Sequence, residues 1–114
     1  MSMSNSNSDN LFENPEDQKL ATLATSTLAR TGAKQAAALR DTTGRTYVAI
    51  NISAPTLTLD AVQAVFAVAA ASQIAGIEGV VIAGERAAMT AVITDNPPQA
   101  TIFYIDANGS VTRA

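Results

Sequence analysis

Leu57-Thr58-Leu59-Asp60-Ala61-Val62 opens the stretch that decides how this chain folds. Thr56 or Thr58 suits a helix cap, and Gly76 suits a stop, so one helix is expected from there to about Ile74. Asp60 falls in its first turn, and no further charged residue occurs until Glu78. Val62, Val65, Phe66, Val68, Ala69 and Ile74 wrap much of its circumference, with alanines between. A helix that is apolar nearly all round is buried on more than one side. One side is expected to face a sheet. The other requires a second cover, and in a chain of 114 residues the simplest cover is another subunit.

Working outward toward the N-terminus, Tyr47-Val48-Ala49-Ile50-Asn51-Ile52 is β-branched and partly alternating, and Pro55 ends it. Gln35 to Arg40 forms its partner strand, and Asp41-Thr42-Thr43-Gly44 joins the two in an antiparallel hairpin. Asn14-Pro15-Glu16-Asp17 reads as a helix start, and Leu20, Leu23, Ala24, Thr27 and Leu28 repeat at helical spacing. Gly32 is its stop, giving a first helix over 15–31. Residues 1–13 are expected to be a disordered tail, since Met1 to Asn10 is rich in Ser and Asn.

Toward the C-terminus, Gly79-Val80-Val81-Ile82-Ala83 is a continuous apolar run, as in a central parallel strand. Gly84 breaks it. Glu85 to Thr94 reads as a short helix, ended by Asp95-Asn96-Pro97-Pro98. Ala100 to Ile105 makes a further strand through a right-handed crossover, and Ser110 to Arg113 adds a short edge strand. The expected order is α-β-β-α-β-α-β-(β), a three-layer α/β/α domain with a mixed sheet over residues 14–114.

Composition narrows the chemistry. The chain contains no cysteine and no histidine. That excludes nearly every transition-metal site of nitrogen and sulfur ligands, and with it thiol nucleophiles and imidazole bases. The formal charge is −3, and the seven bases are scattered from Lys19 to Arg113. No clustered positive stripe of the kind that binds nucleic acid is present. The polar N-terminus does not read as a signal peptide, and the apolar stretch Ala61 to Ala71 is too short to span a bilayer. A cytoplasmic protein with no membrane partner is expected.

With this element order in place, the chain resembles the small cytidine deaminase family over about residues 20–110. Its members have a hairpin like the one around Thr43-Gly44, after a stretch like Ala36-Ala37-Ala38-Leu39. An Asn-containing strand end like Asn51-Ile52-Ser53 follows, then a helix opening Leu-Thr-Ile-Cys-Ala-Glu, which Leu57-Thr58-Leu59-Asp60-Ala61-Val62 matches. The resemblance implies a site where that cysteine and a later Cys-x-x-Cys hold zinc. A glutamate two residues after the first ligand moves protons while zinc-bound hydroxide attacks the base. Here the first ligand position is Asp60 and the glutamate position is Val62. The later cysteines become Glu85 and Ala88. Asn51 matches a ribose-contacting asparagine, but the glutamate two positions on is Ser53. The aromatic that stacks on substrate has no counterpart near Ala33.

The implied protein is a catalytically inactive relative without zinc or other cofactor, homo-oligomeric through helix 58–74, acting as a structural or interaction protein with an unidentified partner. The alternative is a nucleoside or small-ligand binding module without turnover, with Asn51 and Ser53 as ligand contacts. Asp60 and Glu85, expected in facing first helical turns, could also hold Mg²⁺, but two carboxylates without further oxygen ligands rarely make a site. Helix-dipole placement explains them more simply.

Overall fold

The computed structural model describes residues 12–86, 90–95 and 100–113. Helix α1 spans Pro15–Thr31, with the Asn14 side chain accepting the Glu16 N–H and Gly32 closing it in the left-handed region. Strands β1 (Gln35–Asp41) and β2 (Thr46–Ile50) form the expected hairpin, with Leu39 opposite Tyr47. Further on come β5 (Ile77–Gly84), the short helix α3 (Ala91–Thr94), β6 (Thr101–Ile105) and β7 (Val111–Arg113). The five-stranded sheet has the order β2-β1-β5-β6-β7. As expected of a continuous apolar run, β5 pairs in parallel with β6, and the remaining pairs are antiparallel.

The structure corrects the reading of the segment between β2 and the next helix. Leu57-Thr58-Leu59 is not helical. It is strand β4 (Leu57–Leu59), paired with β3 (Ile52–Ala54) in a separate small hairpin. Helix α2 therefore spans Ala61–Ala71, with Asp60 rather than Thr56 or Thr58 as its cap. It ends before Ile74 because Gln73 takes a positive φ of 60°, which no helix continues through. The segment from Glu85 is corrected too. Glu85 and Arg86 are not helical, and the described helix begins at Ala91. The expected tail lies outside the described residues except for Phe12 and Glu13, and Phe12 packs edge-on against Phe103 at 4.9 Å.

The two sheet faces carry separate cores. Val62 and Val65 of α2 and Ile93 of α3 pack with Leu39, Val80 and Ile82. On the opposite face Leu20 and Ala24 of α1 pack with Ala38, Val81 and Phe103. The alanines of β1 bring both helices close to the sheet. Burial of each valine or leucine contributes about 1.5–3 kcal/mol. A buried ion pair ties α1 to the sheet: Arg40 Nη1 donates to Asp17 Oδ1 at 2.9 Å, and Arg40 Nε donates to Glu78 Oε1 at 2.9 Å. Burial alone would depress the Arg40 guanidinium, but its bonds to Glu78 and Asp17 outweigh that and raise it.

Part of the α2 surface is left open by the described residues. Ala67, Val68, Ala70 and Ala71 are exposed, Val68 by 47%. No helix among the described residues is long and apolar enough to cross a membrane.

Candidate functional site

The strand order places three element ends together. Gln35, at the start of β1, lies opposite Gly84, at the end of β5, and the start of α2 reaches the same end of the sheet. Gly84 has a φ of 104°, and a Cβ there would stand 2.3 Å from the Lys34 carbonyl oxygen. Only glycine permits that approach without strain. It brings the Glu85 N–H to the Lys34 carbonyl at 2.9 Å.

A cleft of about 320 Å³ lies at this meeting point, lined by Lys34, Asn51, Ser53, Thr58, Asp60 and Glu85, with Gln35 and Leu59. Four sequence-derived candidates, Asn51, Ser53, Asp60 and Glu85, thus share one cleft. Val62 does not line it. It is fully buried in the core between α2 and the sheet. Ala88 lies outside the described residues.

The chemistry of the cleft centres on a residue that sequence reasoning missed. Gln35 is the one buried residue among those lining it. Its Oε1 accepts the Ala61 N–H at 3.0 Å, and its Nε2 donates to the Glu85 carbonyl at 2.8 Å. Its backbone N–H donates to Asn51 Oδ1 at 3.0 Å, and its carbonyl accepts the Asn51 N–H at 3.3 Å. One glutamine therefore pins β2, α2 and the end of β5. The only sequence signal was a polar residue opening an apolar strand. Asn51 Oδ1, the group the resemblance would aim at a ribose, here ends the β1–β2 ladder.

Asp60 also has a structural task. Its Oδ1 accepts the Gln63 N–H at 2.8 Å, and its own N–H donates to Gln63 Oε1 at 3.0 Å. This reciprocal capping box satisfies donors at the start of α2 and contributes on the order of 1 kcal/mol. Glu85 is not in the first turn of a described helix, so the expected pair of facing helix starts reduces to one cap and one strand end. Among the described residues no group of three or more His, Cys, Asp or Glu is placed to hold a metal ion. The donors in the cleft are oxygens, one of them engaged in a cap. This set does not fit the tetrahedral nitrogen and sulfur coordination of a family zinc.

A second recess of about 460 Å³ shares Lys34 and Glu85 with the cleft and continues past Tyr104 and Asp106. The Tyr104 hydroxyl donates to the Gly84 carbonyl, and the Arg86 guanidinium lies 4.9 Å from the centre of the Tyr104 ring. Tyr47, on β2, donates instead to Asp41 Oδ2 at 3.2 Å. The two tyrosines thus serve separate parts of the fold.

A model of the family described as cytidine deaminase-like matches residues 13–109. No curated protein matches the chain.

Proposed function

The chain belongs to the cytidine deaminase-like family, and from that membership we propose that it is a catalytically inactive member acting as a homo-oligomeric structural or interaction domain. One observation carries the reading. The two residues that the resemblance matches to the family's first ligand and proton carrier have structural tasks: Asp60 caps α2 and Val62 fills the core. A valine cannot carry a proton, and a chain without cysteine or histidine has no thiolate or imidazole donor for zinc. The reading therefore includes no zinc and no turnover of cytidine.

The exposed side of α2 supports the oligomeric part. Ala67, Val68, Ala70 and Ala71 present a small, uncharged apolar surface, which costs free energy in water and favours close helix contact between copies. Sedimentation of the wild-type protein tests this, beside Ala67→Glu. The wild type is expected as an oligomer at micromolar concentration, and Ala67→Glu as a folded monomer. A monomeric wild type would overturn the oligomeric reading.

A second reading, a nucleoside or small-ligand binding module without turnover, draws on the cleft between Lys34, Ser53 and Glu85. Its volume of about 320 Å³ lies within the range of small-molecule sites. A thermal-shift screen with cytidine and uridine separates the two. A saturable rise in melting temperature favours the binding module.

A further inference from the structure

The sheet has two lateral edges, and they differ. At one, β7 has only three residues and carries Arg113, both features that discourage further pairing. At the other, β2 offers Thr46, Tyr47, Val48, Ala49 and Ile50, with no charge, no proline and no bulge in its register with β1. The bonding pattern fixes which of its backbone groups are open. Asn51 N–H donates to the Gln35 carbonyl, and Asp41 N–H donates to the Arg45 carbonyl. In an antiparallel ladder bonded residues alternate, so Tyr47 and Ala49 also face β1. Thr46, Val48 and Ile50 therefore turn their N–H and C=O groups outward, where no described strand pairs with them.

These open groups are self-complementary. A two-fold axis at Val48 sets Val48 against the partner's Val48, Thr46 against the partner's Ile50, and Ile50 against the partner's Thr46. Every one of these facing pairs is of the bonded kind, so each exchanges two hydrogen bonds. The same axis also brings a second element beside its copy. Helix α2 rests on β1 and β2, whereas α1 is centred on β1 and β5. With neighbouring strands about 4.8 Å apart, a helix astride β1 and β2 lies about 5 Å from the axis. Two such helices stand about 10 Å apart, which is helix-packing distance. The two α1 helices stay well separated. Phe12, the first described residue, packs away from this edge, on Phe103 of β6.

We infer that the open edge of β2 pairs antiparallel with β2 of a second copy, joining two sheets into one and setting the two α2 helices side by side. The inference rests on the homo-oligomeric reading above and assigns its geometry.

The test is residue-resolved amide hydrogen exchange on wild-type protein, with mass in solution measured on the same samples. The Thr46, Val48 and Ile50 amides are expected to exchange at least about a hundredfold more slowly in the oligomer than after dilution to monomer. Thr46→Pro removes an outward N–H without touching the β1 ladder, and is expected to give a folded monomer, while Thr46→Val remains oligomeric. An oligomer whose three amides exchange as fast as those of the monomer would overturn the edge pairing and leave the α2 interface standing. So would a folded Thr46→Pro protein of unchanged mass. A wild type that is monomeric throughout overturns both. If Thr46→Pro fails to fold, the exchange of the wild-type amides decides alone.

Discussion

The Gln35 side chain accepts the Ala61 N–H at 3.0 Å, and this bond joins the first strand to the first turn of α2. Because Ala61 is fully buried, its N–H has no water to turn to if that bond is lost. The same amide holds the Glu85 carbonyl from the other side. One side chain in the wall of the cleft thus ties the strand ends to the start of α2.

Gln35→Leu keeps the volume and removes both bonds. Leaving a buried N–H unsatisfied costs about 1–3 kcal/mol, so urea unfolding is expected to show a loss of about that size. Gln35→Glu keeps the acceptor for Ala61 but sets a carboxylate oxygen against the Glu85 carbonyl, and a loss is expected there too. A Gln35→Leu protein as stable as wild type would contradict the bridging role.

The Arg40 clamp makes a contrast between its two arms. The Asp17 side chain is 10% exposed and the Glu78 side chain 52%. Breaking a buried pair by removing one partner costs about 3–5 kcal/mol, whereas an exposed pair contributes about 0–1 kcal/mol. Asp17→Ala is therefore expected to destabilise the domain far more than Glu78→Ala in denaturant titration. Equal losses would contradict the assignment of the buried arm as the dominant one.

The turn between β1 and β2 sets an acid limit. Burial alone would push the Asp41 carboxyl up, but it accepts from the Thr43 hydroxyl, the Arg45 and Thr43 N–H groups and the Tyr47 hydroxyl, and these hold it below the usual aspartate value. The unfolded state therefore takes up this proton first as the pH falls. The contribution is fully present above the ordinary aspartate range near pH 3.9, and is lost as the pH falls from there through the lower folded value. Melting temperature measured against pH is expected to fall more steeply below about pH 4 in wild type than in Asp41→Asn. Identical acid limbs would contradict it.

How far the sequence revealed all this depends on where the signals were local. The α1 boundaries were legible because Asn14, Pro15 and Gly32 are local capping signals. The parallel placement of β5 was legible because Val80-Val81-Ile82 has no polar alternation. Leu57-Thr58-Leu59 was read as helix because nothing within it opposes one; its pairing with Ile52-Ser53-Ala54 across Pro55-Thr56 is a tertiary choice. The cap then moved to Asp60, whose partner Gln63 completes a capping box that the sequence shows only once the start is known. Asn51, Ser53, Asp60 and Glu85 were found through family likeness, and they do meet in one cleft. Gln35 was missed because its role depends on contacts with Ala61 and Glu85, far away along the chain.

The central claim is that this deaminase-like domain does not deaminate. The most direct measurement is the absorbance change for uridine formation from cytidine, with purified untagged protein and zinc supplied in the buffer. The account predicts a rate indistinguishable from the protein-free control at every protein concentration. Turnover that rises in proportion to protein and follows it through size-exclusion chromatography would contradict it.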